Sequence, residues 1–188
     1  MKIVLLRHGK PYIKKTEKLK AAELHRWIDS YNSSGIHKKY PPGKAAIHIA
    51  NECRAVVCSD FRRSIESAEI LGKTGLKHID PLFREMGLPY GTWKSPKASP
   101  VVWAAIFRAL WFFGYASNSE NFSSAKKRAS QAADKLEDIA KAQGSVLFVG
   151  HGFMNRYIAK DLLSNGWQGP HSPGKKYWEF GLYEYKTT

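Results

Sequence analysis

At 188 residues, with 43% hydrophobic and 13% aromatic side chains, the chain has enough apolar material for one stable globular unit and too much for a disordered one. Its 30 Lys and Arg against 16 Asp and Glu give a formal charge of +14, a field that draws anions without specifying which. Cys53 and Cys58 flank or occupy one short apolar segment and read as free thiols, which excludes a disulfide-built fold.

In chain order, Ile3-Val4-Leu5-Leu6 reads as a buried strand that ends in Arg7-His8-Gly9. A helix is expected over Thr16 to Tyr31, where Leu19, Leu24, Trp27, Ile28 and Tyr31 are spaced for one face, and another over Lys44 to Asn51. Ala55-Val56-Val57-Cys58 is a second short strand. Ser59 or Asp60 then caps a helix running to about Leu71. That phasing puts Arg62 in the first turn at the sheet edge and turns Arg63 about 100° away, towards solvent. Asp80 to Gly87 carries Glu85 out of a strand into a loop ending at Gly91-Thr92-Trp93. Val101 to Tyr115 is apolar nearly all round apart from Arg108, as buried helices are. Phe122 to Gln143 is a long amphipathic helix with Ala129, Ala132, Ala133, Leu136 and Ile139 inward, stopped by Gly144. Val146-Leu147-Phe148-Val149 is a further strand, followed by Gly150-His151-Gly152 and a helix over Phe153 to Leu163. Tyr177 to Tyr185 alternates as a closing strand, and loops are expected at 32–35, 41–43, 95–100 and 169–174.

The chemistry gathers where strands end. Ligands of α/β sheets bind beyond the carboxyl ends of the strands. Two strands here deliver a histidine to that edge, one with an arginine before it and one between glycines. Phosphoryl transfer concentrates charge on the non-bridging oxygens, so positioned cations do most of the work. Arg7, Arg62 and a protonated His151 suit those oxygens, His8 supplies a nitrogen nucleophile, and Glu85 is placed to protonate a leaving alkoxide. No cofactor is called for. No Cys-x-x-Cys, His-Glu-x-x-His or Asp-x-Asp cluster has metal-ligand spacing, and neither a P-loop nor a Gly-x-Ser-x-Gly elbow is present.

Four segments in this order resemble the histidine phosphatase superfamily, the phosphoglycerate-mutase-like proteins. They are Leu6-Arg7-His8-Gly9, the run from Cys58 to Ala68, Phe83-Arg84-Glu85 with Gly91-Thr92-Trp93, and Val149-Gly150-His151-Gly152; Ser119-Glu120-Asn121 with Arg128 is a weaker match. The resemblance implies a three-layer α/β/α sandwich with a mainly parallel sheet and a covalent phosphohistidine on His8. It also implies a phosphate pocket of Arg7, Arg62 and His151, with Glu85 as proton donor and then base. The chain departs from the family pattern after the first motif, where Lys10-Pro11-Tyr12-Ile13 replaces the usual Thr and Asn, and at Ser64 and Ser67, where Gln and Thr are common. The departures bear on the substrate rather than the chemistry.

The expected function is therefore metal-independent hydrolysis of a small phosphate monoester by one domain spanning residues 1–188. A phosphomutase is the alternative within enzymes, and a basic polyanion-binding module the alternative outside them. The shorter length relative to the family's mutases favours the phosphatase. The basic clusters, such as Lys38-Lys39 and Lys126-Lys127-Arg128, are scattered along the chain and accompany no nucleic-acid motif, so nucleic acid is not expected as a partner. With few apolar residues ahead of Arg7, no leader is expected, which favours the cytoplasm. The segment 101–115 is too short to span a bilayer and reads as a pocket-wall helix; a peripheral membrane or dimer surface is its other reading. His37 and His171 lie in loops within reach of a substrate, while His25, His48 and His78 read as surface or structural residues.

Overall fold

The computed structural model describes residues 1–13, 17–73 and 77–186. Five strands form one sheet: β1 (Lys2–Arg7), β2 (Ala55–Cys58), β3 (Lys77–Ile79), β4 (Ser145–Gly150) and β5 (Phe180–Glu184), in the order β3-β2-β4-β1-β5. The pairings β2 with β3, β2 with β4 and β1 with β4 are parallel; β5 closes the β1 edge antiparallel. The parallel strands read as continuous apolar runs because both sheet faces are covered. Their alternation sorts the core. Ile3, Leu5, Val57, Val146 and Phe148 face one layer, built on α5 (Phe122–Gln143) and α6 (Gly152–Ser164). Val4, Leu6, Val56, Leu147 and Val149 face the other, built on α2 (Lys44–Asn51) and α3 (Arg62–Ile70). The expected α/β/α sandwich is the fold observed.

A third, smaller apolar cluster lies apart from the sheet. It joins α1 (Leu24–Ser33) to α4 (Pro100–Phe112) through Ala21, Leu24, Trp103 and Phe107. Helix α1 is shorter than expected. Leu19 is drawn into an antiparallel bridge with Ala98, and a single 3-10 turn at Ala21–Glu23 precedes the helix; Thr16 lies outside the described residues. Helix α4 has Ser99 as N-cap, accepting from Val102 N at 3.3 Å, and Pro100 in its first turn. As a pocket-wall helix it lines a cavity through Val101, Ala104 and Ala105. Trp103, Phe107 and Trp111 are buried, whereas Val101, Val102, Ile106 and Leu110 are exposed on a side that none of the described elements covers. Helix α5 matches its sequence bounds: Asn121 accepts from Ser124 N at 2.8 Å, and Gly144 with φ 81° ends it. The closing strand is shorter than the Tyr177–Tyr185 alternation suggests, since Trp178 takes a positive φ. Cys53 and Cys58 are both buried, and neither is in a disulfide.

Candidate active site

Register places both histidines side by side. Arg7 pairs with Gly150 at the ends of β1 and β4, so His8 and His151 emerge from adjacent parallel strands, and His8 N donates to Gly150 O at 3.0 Å. Their rings stand 5.0 Å apart, and the residues are 2% and 0% exposed. The turns leave little room. A Cβ on Gly9 would stand 2.4 Å from the Trp178 indole, and one on Gly150 would stand 2.2 Å from Asn155 Oδ1. Glycine is required at both positions by close approach.

A hydrogen bond assigns the His8 tautomer. His8 Nδ1 lies 2.7 Å from Gly9 O, an obligate acceptor, so Nδ1 carries the proton and Nε2 of the neutral ring keeps its lone pair. Ser59, at the end of β2, sits 2.7 Å from His151 Nε2 and also accepts from Phe61 N at 3.4 Å. Burial, the neighbouring Arg63 and Arg7, and for His151 also His8, hold both imidazoles well below the ordinary histidine range.

The arginines differ from expectation. Helix α3 has Phe61 as N-cap, one or two residues later than the sequence suggests. This phasing sends Arg62 outward, its side chain 70% exposed and its Nε paired with Glu66 at 2.6 Å. Arg63, expected on the surface, is the buried one at 1% exposure. It stacks over Tyr31 and Phe61, with its Cζ 4.7 and 4.5 Å from their ring centres, and donates to Tyr31 O at 3.1 Å. Arg7 packs over Tyr177, 4.6 Å from its ring centre, and donates to Lys175 O. Arg7 and Arg63 both line a cavity of about 1350 Å³; Arg62 does not. Thus Arg63 takes the place foreseen for Arg62.

Glu85 lies in the loop after β3 and reaches the start of α6. Its Oε1 accepts from Met86 N at 3.0 Å and Met154 N at 2.9 Å, and its Oε2 from Phe153 N at 3.2 Å. A Cβ on Gly152 would lie 3.5 Å from Arg7 Cζ and 3.7 Å from Glu85 Oε2, so guanidinium and carboxylate flank this glycine. The loop is clamped from two helices. Arg128 of α5 donates to Leu82 O and Arg84 O, both at 2.8 Å, and ion-pairs with Glu120; Arg108 of α4 donates to Gly87 O at 2.9 Å and Met86 O at 3.0 Å. Asp60 joins the second motif to the same loop through Arg84, at 2.7 Å. Burial pushes the Glu120 carboxyl up, but hydrogen bonds from Arg128 and Gly87 and the charges of Arg128 and Arg108 outweigh it and hold the group ionised.

Ser64 and Ser67, the departures in the second motif, are structural ties. Ser64 donates to Val149 O, while Ser67 donates to Arg63 O at 2.6 Å and accepts from Gly9 N at 2.8 Å. Ser59, Tyr31, Tyr177 and Arg108 are site-building residues that the sequence does not single out. Their signal is positional, visible only once the strand order is known. His171 lines the cavity, whereas His37 packs between Tyr12 and Tyr40 and does not line it. Among the described residues, no three His, Cys, Asp or Glu are grouped to hold a metal ion. No helix among them is long and apolar enough to cross a membrane.

The polar atoms left over point to a ligand. Among the described residues, Arg7 Nε, Arg63 Nε, His151 Nδ1 and Asn155 Nδ2 are buried without a hydrogen-bond partner. Buried polar atoms are rarely orphaned. The Arg7 and Arg63 guanidiniums, whose charges act on both imidazoles, form with His151 a cradle suited to an anion.

Comparison with known proteins agrees with this geometry. No curated protein matches the sequence. Among solved structures, an open reading frame product of Mycobacterium tuberculosis superposes with a TM-score of 0.60 at 16% identity, covering 98% of this chain and 91% of its own. A mycobacterial glucosyl-3-phosphoglycerate phosphatase gives 0.58 at 19% identity over 96% and 88%. A putative alpha-ribazole-5'-P phosphatase of Escherichia coli gives 0.57 at 18% over 86% and 79%. These likenesses are of fold. The sequence itself matches the model of the histidine phosphatase superfamily, branch 1, over residues 3–177. With nearly the whole chain matched, the protein belongs to the histidine phosphatase superfamily.

Proposed function

We propose that the protein is a phosphatase that hydrolyses a phosphate monoester through a phosphohistidine on His8. The observation that carries this reading is the set of unpartnered buried nitrogens that includes Arg7 Nε, Arg63 Nε and His151 Nδ1, on residues whose charges and rings neighbour a histidine held through Nδ1 by Gly9 O. The glucosyl-3-phosphoglycerate phosphatase fold neighbour is consistent with it.

In the first step the lone pair on His8 Nε2 attacks phosphorus and the ester P–O bond breaks. Protonated Glu85 gives its proton to the departing oxygen, releasing the alcohol. The Nδ1–H bond to Gly9 O holds the ring in position throughout and disperses the charge of the phosphoimidazole. In the second step Glu85 takes a proton from water, the water oxygen attacks phosphorus, and the N–P bond breaks. Neutral His8, protonated Glu85 and inorganic phosphate result. Arg7, Arg63 and His151 serve the non-bridging oxygens, where charge accumulates. The scheme needs no metal.

The test is hydrolysis of p-nitrophenyl phosphate by wild type and His8→Ala, each with and without EDTA. Turnover that survives EDTA and vanishes with His8 is expected; equal turnover by the two proteins would name a different nucleophile.

A further inference from the structure

We propose that the cavity accepts phosphate monoesters of amphiphilic alcohols, with the ester group at Arg7 and Arg63 and an apolar tail laid between α1 and α4. The inference rests on the phosphatase reading of the same site. A phosphate group needs only one corner of a cavity of about 1350 Å³, so most of the space belongs to the alcohol. The apolar lining of the cavity includes Trp27 and Ile28 of α1, Leu88, and Val101 and Ala104 of α4. Arg108, the sole charged residue of α4, is spent on the Met86 and Gly87 carbonyls and stacks over Trp111 and Phe153. A sugar or other polyol laid against Trp27, Ile28, Val101 and Ala104 would lose hydration of the hydroxyls that face them without gaining a hydrogen bond from those four side chains.

The apolar wall also continues outward. Val101 lines the cavity and is 71% exposed, and from it Val102, Ile106 and Phe113 lead along the uncovered side of α4 and past its end. These exposed residues of the strip are all apolar. Exposed apolar surface of this kind marks a ligand groove or a contact. Its continuity with the cavity through Val101 favours the groove. Exposed Arg156, Lys160 and Lys175 also line the cavity and attract the phosphorylated end.

The experiment is kcat/KM for primary alkyl phosphates from ethyl to octyl, each below its critical micelle concentration, beside a sugar phosphate and a bisphosphorylated polyol. The leaving oxygen is nearly constant along the alkyl series, so tail burial sets the trend. A rise of about two- to fourfold per methylene is expected, the range set by partial to full burial of a CH₂ group. Trp27→Ala and Val101→Asp should each reduce the octyl-to-ethyl ratio at least fivefold; Val101 is exposed enough that the second variant keeps its fold. Phosphatidic acid in phosphatidylcholine vesicles separates the sources. Turnover of octyl phosphate alone assigns a dissolved amphiphile, and turnover of both assigns a lipid. A flat alkyl profile, or preference for the sugar phosphate or bisphosphate, overturns the proposal while His8-dependent hydrolysis of p-nitrophenyl phosphate leaves the phosphatase intact. Absence of His8-dependent hydrolysis with every ester removes both.

Discussion

Two adjacent arginines with opposite environments give the sharpest prediction at the scale of single residues. Arg63 is buried with a free Nε beside the histidines, whereas Arg62 makes an exposed ion pair with Glu66 of the kind that contributes little. Arg63→Ala should therefore lower kcat/KM by roughly 10²- to 10³-fold, the usual cost of losing one transition-state donor. Arg62→Ala should change it less than about threefold, since exposed ion pairs are weak. Steady-state kinetics on the two variants, with circular dichroism as a folding control, decides the assignment. The histidines give a second prediction. His8 and His151 are held neutral by burial and by Arg63 and Arg7, but in the unfolded chain each protonates near its ordinary 6.5. The unfolded state thus binds more protons below that value, so the stability these groups confer is present above it and drains as pH falls. The melting temperature should drop between pH 7.5 and 5. Sulfate, a non-titrating dianion, should restore it at pH 5 more than at pH 7.5, because an anion in the cradle favours the imidazolium forms. Equal protection at both values would place the anion elsewhere.

At the scale of elements, the Glu85 loop is held by helices remote in sequence. Arg128 of α5 binds the Leu82 and Arg84 carbonyls and is itself fixed by Glu120, whose carboxylate also accepts from Gly87 N at 3.0 Å. Arg128 acts through Glu85, so its loss should copy the loss of the acid. Arg128→Ala should slow alkyl phosphates at least tenfold more than p-nitrophenyl phosphate, whose leaving group needs no proton, and Glu85→Gln should show the same bias. Equal loss on both esters would reduce Arg128 to a fold-holding role. The sequence flags Glu120 and Arg128 together as a weak family match, but not their hold on the Glu85 loop, because nothing local ties residue 128 to residue 85. Other elements were legible to the residue: α5 is bounded by an Asn cap and a Gly stop, both local signals. The error at Arg62 and Arg63 also has a local cause. Ser59 and Asp60 are better intrinsic caps than Phe61. However, Ser59 is engaged by His151 and Asp60 by Arg84, the helix starts one or two residues later, and Arg63 rather than Arg62 is the buried arginine. The apolar pattern of α4 left its outer face open between a pocket wall and a surface, because an all-apolar helix is buried only where another element covers it.

The whole molecule explains why motifs far apart in sequence meet. The strand order sets the ends of β1, β4 and β2 in one row, so His8, His151 and Ser59 follow each other along a single sheet edge. Sequence alone gave each strand end its residue but not the neighbour it would face. Charge is the other property of the whole. A formal +14 raises the local concentration of any phosphate ester, and exposed Arg156, Lys160 and Lys175 concentrate that field at the cavity. The buried cradle, by contrast, is shielded from salt by the protein around it. Ionic strength should therefore weaken capture and spare chemistry. Raising NaCl from 0.02 to 0.5 M shortens the Debye length from roughly 20 Å to about 4 Å. Over that range kcat/KM for a dianionic ester should fall roughly three- to tenfold while kcat changes less than twofold. A polyanion-binding module would behave differently, losing affinity for RNA by several powers of ten as counterions are released. Salt titration of ester turnover and of RNA binding on one preparation separates the two. A kcat that falls in step with kcat/KM would mean that the phosphate site is open to solvent, against the burial of Arg63, His8 and His151.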